Sequence, residues 1–125
     1  MKTSISKRKY TITSMNHPQI PHVYRIRHVR TGEVGGFVAG YDNLSQGGLA
    51  WVAGDAVVCG NAYVCGDAIV AGRALVTGGA VIGERATVSG TSIVRDATVG
   101  AGATVHCSTV TGGDVTEDLF YTVQR

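Results

Sequence analysis

No acidic residue occurs in the first thirty positions, where seven basic ones lie: Lys2, Lys7, Arg8, Lys9, Arg25, Arg27 and Arg30. Positions 31–125 hold nine acids and four arginines, so a head of +7 sits on a remainder of −5 within a net charge of +2. That asymmetry points to an anionic partner for the head, or to attraction between the head of one copy and the body of the next. Only two prolines are present, Pro18 and Pro21, against 18 glycines. Glycine without a Gly-X-Y period excludes collagen-like order and suits a chain that turns often. No apolar run is long enough to span a membrane or to serve as a secretory leader, so a cytoplasmic protein without membrane contact is expected. Three cysteines, an odd number, exclude a complete disulfide framework and leave free thiols. With 125 residues the chain is one domain by length.

From Ala50 onward the sequence repeats in sixes: AWVAGD, AVVCGN, AYVCGD, AIVAGR, ALVTGG, AVIGER, ATVSGT. Val52, Val58, Val64, Val70, Val76, Ile82, Val88 and Val94 recur every six residues, each preceded two positions earlier by Ala, or by Ser at 92. A fixed short period marks a solenoid and outranks local propensity. Each six is a short strand and a corner: alternation turns Ala62 and Val64 inward and Tyr63 outward, and Gly-Asp or Gly-Asn turns the chain. Upstream, Val38 and Leu44 join the series, with two extra residues near Gln46-Gly47 before Val52. Downstream the period tightens to Val99, Val105, Val110, Val115 and Phe120. Four to five coils, roughly 20 Å tall at ~4.8 Å per coil, are expected, with no helix longer than two turns.

Before the repeats, Tyr10–Ser14 and Val23–Arg30 alternate as strands, separated by the proline-bearing loop Met15–His22. Met1–Lys9 reads as a polar, frayed start. On the second strand Tyr24, Ile26 and His28 share one face and Arg25 and Arg27 the other. The two strands are expected to form an antiparallel ribbon over the open first coil, with Tyr24 and His28 fastening it near Trp51. The expected organisation is a basic ribbon cap over 1–34, a β-helix over 35–115 and a tail over 116–125 that closes the far end or reaches a neighbour.

The sixes resemble the hexapeptide repeat of left-handed parallel β-helices, and the resemblance implies triangular coils of three sixes. The order YRI, GGFV, DNLSQGG, AWV followed by GxA repeats further resembles a family of poorly characterised hexapeptide-repeat proteins of enterobacteria and their phages. Here the connection after the YRI strand is only RTGEV, where that family usually carries a longer stretch.

With three sixes per coil, every third six stacks on one wall. The first wall then presents Val57, Leu75, Ile93 and Thr109 outward. The second presents Trp51, Ile69, Thr87 and Thr104, and the third Tyr63, Val81, Thr98 and Asp114. An outward aliphatic ladder of Val57, Leu75 and Ile93 calls for a cover. Self-association is expected, most simply as a closed trimer, which is common in similar hexapeptide proteins. The alternative is that the ribbon or the tail folds back over it.

Few side chains can do chemistry. Hexapeptide acyltransferases use a histidine as base, and the repeats hold one, His106, outward near a corner. No carboxylate is evident beside it, and Cys107, adjacent in a strand, does not form a dyad with it. His106 is thus a weak catalytic candidate and the chain is read as leaning away from an enzyme. Cys59 and Cys65 lack further ligands, and His17, His22 and His28 lie outside the coils that supply metal ligands in the carbonic-anhydrase-like branch of this fold, so no metal or other cofactor is expected. The glycines do not form a phosphate-cradling P-loop. The leading expectation is a non-catalytic binding protein, in the resemblance a phage-type accessory or anti-defence factor. As a rigid oligomer it would capture a host protein or a nucleotide-like anion through Arg25, Arg27, Arg30 and Lys9. No motif supports nucleic acid as the partner. An acyltransferase using His106 and a purely structural, self-assembling repeat protein are the alternatives.

Overall fold

Two-residue strands joined by sharp corners leave the chain no route to a core except to wind on itself, and it does so. The computed structural model describes residues 8–124, and in them all regular structure is strand apart from one 3-10 turn at Tyr41–Asn43. Lys2, Lys7 and nearly all of the segment read as a frayed start lie outside the described residues. The strands β1 (Tyr10–Asn16) and β2 (Tyr24–His28) pair antiparallel, and β2 pairs antiparallel with β3 (Val34–Val38). β3 also pairs in parallel with the coil beneath, so it belongs both to the cap and to the first coil.

A parallel β-helix of about five turns follows. Coil one holds β3, a bridge at Leu44 and β4 (Trp51–Val52); coil two holds β5 (Val57–Val58), β6 (Tyr63–Val64) and β7 (Ile69–Val70). Coil three holds β8 (Leu75–Thr77), β9 (Val81–Ile82) and β10 (Thr87–Ser89). Coil four holds β11 (Ile93–Arg95), β12 (Thr98–Val99) and β13 (Thr104–His106). Coil five holds β14 (Thr109–Thr111), β15 (Asp114–Val115) and β16 (Leu119–Phe120), and β17 (Val123–Gln124) starts the next. Strand register reproduces the three predicted ladders: Val57, Leu75, Ile93 and Thr109 align on the first wall, Trp51, Ile69, Thr87 and Thr104 on the second, and Tyr63, Val81, Thr98 and Asp114 on the third. The tube is filled by the two inward series, and every inward residue from Ala50 to Val94 is fully buried.

Corners need a residue of positive φ. Nine of these fall six apart from Gly48 to Asp96, and two of the nine, Glu84 and Asp96, are not glycine (φ 54° at each). Most corners pass a backbone N–H down to a carbonyl of the next coil, as Asp55 does to Gly72 at 2.9 Å. Where successive coils differ in length, a side-chain oxygen of the adjoining coil accepts a corner N–H instead. Coil one has two extra residues at Gln46-Gly47, and Leu49 N–H donates to Asp67 Oδ1 at 3.1 Å. Coil four drops a residue at Asp96, whose Oδ1 takes the Gly79 N–H at 2.7 Å. Coil five drops one before Ser108, whose N–H donates to the buried Ser92 Oγ at 3.0 Å. It drops two before Leu119, and Asp118 Oδ1 takes the Thr104 N–H at 2.9 Å. This last shortening corrects the expected inward series. Leu119 pairs with Val105 and turns inward, while Phe120 is 53% exposed. Within the described residues, the segment after 115 extends the coils through the pairing of β16 with β13 and of β17 with β14.

Two consequences are measurable. Val70→Asp should abolish the folded state, because an unpaired carboxylate in a dry tube costs an amount on the order of the whole stability of a small domain, ~5–15 kcal/mol. A circular-dichroism spectrum and thermal transition like those of the wild type would refute the tube register. Ser92→Ala restores the alanine found at the equivalent place in other coils yet should destabilise by about 1–3 kcal/mol, since it orphans a buried N–H; denaturant titration reads the difference.

Candidate functional site

The cap is built by groups the repeats do not contain. Ile26 is fully buried and the His28 ring lies 5.4 Å from that of Trp51, as the alternation of β2 predicts. Tyr10, also fully buried, donates from its hydroxyl to the Leu44 carbonyl at 2.6 Å, and burial pushes that hydroxyl far above its ordinary pKa. Gln46 Oε1 accepts from the N–H groups of Lys9 and Tyr10 at 2.7 and 3.2 Å. The two extra residues of coil one therefore moor the start of β1.

The four proposed ligand-binding cations separate. Lys9 Nζ donates to the carbonyls of Ala50, Gly47 and Gly48 at 2.6, 3.2 and 3.5 Å, and burial lowers its pKa against the opposing pull of Asp67. Arg25 donates to the carbonyls of Gly35 and Gly54 at 2.9 and 3.0 Å and to Asp55 Oδ1 at 2.8 Å, with its guanidinium 4.3 Å from the centre of the Phe37 ring. Both cations are held by the scaffold, which the expectation of an Arg25–Arg27 grip did not foresee. The alternation of β2 was legible, but of the groups that meet Arg25 only the Gly35 carbonyl lies on the neighbouring strand β3; the Gly54 carbonyl and Asp55 come from a corner of the coils. A register shift in the β2–β3 pairing also falls between the two arginines. Arg27 and Arg30 are exposed and, among the described residues, their side chains have no hydrogen-bonding partner.

The loop between β1 and β2 folds down over the first wall. Val23 and Phe37 cover Val57, which is only 3% exposed, with Ile20, Cys59 and Leu75 packed around them. The two alternatives for the aliphatic ladder are thus divided by position. Its top is covered within the chain, while Leu75 is half-buried and Ile93 is 40% exposed. Between loop and wall runs a groove of about 680 Å³ with a floor of Val57, Leu75 and Ile93 and a rim of His17, Arg25, Asp55 and Arg73. Arg73 is exposed and, among the described residues, has no side-chain partner. It was missed because the groove needs a loop without period to form. The one available signal was its place at a corner that carries Asp or Asn in the preceding coil.

His106 sits at the corner between the second and first walls, with Nδ1 2.9 Å from Ser89 Oγ and the Tyr121 ring 5.7 Å away. Cys107 occupies the corner itself at φ 50°. A hydroxyl–imidazole contact is present there, with Phe120 as the other aromatic neighbour. Among the described residues no three His, Cys, Asp or Glu side chains gather as a metal set would, and no helix is long and apolar enough to cross a membrane.

The Arg25–Asp55 bridge ties the cap to the first corner of the stalk. The hydrogen bond from Arg25 holds the Asp55 carboxyl below its ordinary 3.8, with the cation of Arg73 acting in the same sense. A depressed carboxyl contributes stability that is present above its unfolded value and is lost as pH falls through the folded one. Asp55→Asn should therefore be less stable than wild type at neutral pH, with the gap closing as pH drops below 3.8. Thermal unfolding of both proteins across that range checks the sign.

No family model, no curated protein and no solved structure matches the chain.

Proposed function

We propose that this chain is a hexapeptide-repeat, left-handed β-helix protein that works as a non-catalytic binding module, self-associated into a rigid prism. The observation that carries the reading is the groove on the first wall. Its floor keeps Leu75 and Ile93 in contact with water, and its rim holds Arg73, whose side chain has no hydrogen-bonding partner among the described residues. Folding explains neither feature, since the tube core and the cap are complete without them. An aliphatic strip beside a cation suits association with a second copy and capture of an anionic or acidic partner along the same face. The reading as a phage-type accessory or anti-defence factor in a bacterial cytoplasm rests on the order YRI, GGFV, DNLSQGG, AWV. A closed trimer rests on the resemblance to other hexapeptide proteins. The acyltransferase reading has the contact between His106 and Ser89 in its favour, without a carboxylate bonded to the imidazole.

Sedimentation across micromolar concentrations is the first test: wild type should be oligomeric, and Leu75→Arg with Ile93→Glu should give folded monomers. Val57→Arg should instead damage the cap, because Val57 is covered within its own chain. Monomeric wild-type protein would remove the reading. Partner capture is tested by thermal shift with nucleotides and acyl-CoA. Replacing Arg27, Arg30 and Arg73 by Glu should abolish any nucleotide shift while His106→Ala leaves it intact. An acyl-CoA shift lost only in His106→Ala would favour the acyltransferase.

A further inference from the structure

The loop that covers the top of the first wall is fastened by an imidazole acting as an acceptor. His17 Nδ1 receives the N–H groups of Gln19 and Ile20, both at 3.0 Å. The ring packs edge-on against Phe37 at 4.6 Å, and the His17 N–H closes the base of the loop on the Val23 carbonyl at 3.0 Å. A nitrogen that accepts two N–H donors carries no proton, so the closed loop requires neutral imidazole with its hydrogen on Nε2. The cover itself, Ile20 and Val23 on Phe37, Val57 and Leu75, is a cluster separate from the tube core. It can lift without disturbing the coils.

We propose that His17 is a proton-operated latch on this loop. Acidification adds a proton at Nδ1, turns the acceptor into a donor that faces two further donors, and releases residues 18–23. That removes Ile20 and Val23 from the first wall and widens the uncovered apolar face around Leu75, while Phe37, paired with Val57 between β3 and β5, stays in place. The charged groups facing His17 are Arg25 from β2 and Asp55 and Arg73 from the corners of coils one and two. Arg25 and Asp55 bridge each other at 2.8 Å. His28 provides an internal control. Its Nδ1 likewise accepts from Arg30 and Thr31, at 3.2 and 3.3 Å, but it lies against Trp51, away from the groove.

Only the role of the uncovered face rests on the self-association reading; the latch stands on its own geometry. The test follows hydrogen exchange of the Gln19 and Ile20 amides, corrected for intrinsic rates, together with binding of an apolar fluorescent dye. Both are compared between about pH 8 and about pH 5, the interval in which imidazoles titrate. Wild type should lose amide protection and bind several-fold more dye at the acid end. His17→Asn, whose side-chain carbonyl accepts at both pH values, should stay closed, and His17→Ala should be open throughout. His28→Asn should keep the wild-type response. Equal protection of wild type at both ends, or an acid opening retained in His17→Asn, would overturn the latch. If the loop opens while sedimentation shows no change in association, the latch stands and only the role of the widened face in association fails; a wild type that is monomeric at both pH values removes the self-association reading and leaves the latch untouched.

Discussion

Parallel stacking of coils imposes one requirement on every corner: the N–H groups it turns toward an adjoining coil must find an oxygen there. Coils of equal length meet it with backbone alone, residue against residue. Coils of unequal length cannot, and a corner N–H that finds no backbone oxygen needs a side chain or water to accept it; for the buried Ser108 N–H only a side chain serves. The chain changes coil length at four corners, and at each a carboxylate or hydroxyl of the adjoining coil takes the stranded N–H: Asp67, Asp96, Ser92 and Asp118. Glu84 does the same for Ala101 at a corner of unchanged length, where it also occupies the left-handed position that glycine fills elsewhere. Several acids of the stalk are thus structural acceptors, and the negative charge of the stalk is partly a by-product of that requirement.

The same requirement explains what could be read in advance. A six-residue period is redundant eight times over, so the inward series and all three outward ladders were legible, and a single slip would have turned valines to solvent. Redundancy ends after Val94. Beyond it, spacing by five placed Phe120 inward, whereas the corner before it contracts by one residue more and Leu119 takes the place. Nothing in the apolar pattern distinguishes Leu119 from Phe120. Asp118, standing where a shortened corner needs an acceptor, is the clue, and it becomes readable only once the rule is known. The loop from His17 to Val23 has no period at all, so its descent over Val57 was open to either reading.

The residues that carry the family resemblance are explained by the junction between cap and tube. A β-carbon on Gly35 would lie 2.5 Å from the Val52 carbonyl oxygen, and one on Gly36 equally close to that of Ala56, so the backbone of β3 can lie on the first coil only as glycine. Asn43, nearly fully buried, accepts from the N–H groups of Ala39 and Gly40 and donates to the carbonyls of Gly60 and Ala62. Gln46 anchors β1, and Trp51 floors the cap. GGFV, DNLSQGG and AWV therefore describe how a ribbon is joined to a solenoid. They report construction, and a protein could share them while binding something quite different.

That distinction decides where function should be sought. A polar group that completes a fold is held by several partners and has little left to offer a ligand, as Lys9 and Arg25 illustrate. Arg27, Arg30 and Arg73 have no such duty: exposed and, among the described residues, without a side-chain partner, each keeps its full set of donors for something outside the chain. Two lie on the cap and one on the rim of the groove, beside the part of the aliphatic ladder that the loop leaves uncovered. The first wall is rigid because its strands β5, β8, β11 and β14 are each paired above and below, so a ligand cannot reshape it and must fit the face as presented. Among the described residues the loop lies over that face without being built into the stack, held by the packing of Ile20 and Val23 and by the two N–H groups that His17 accepts.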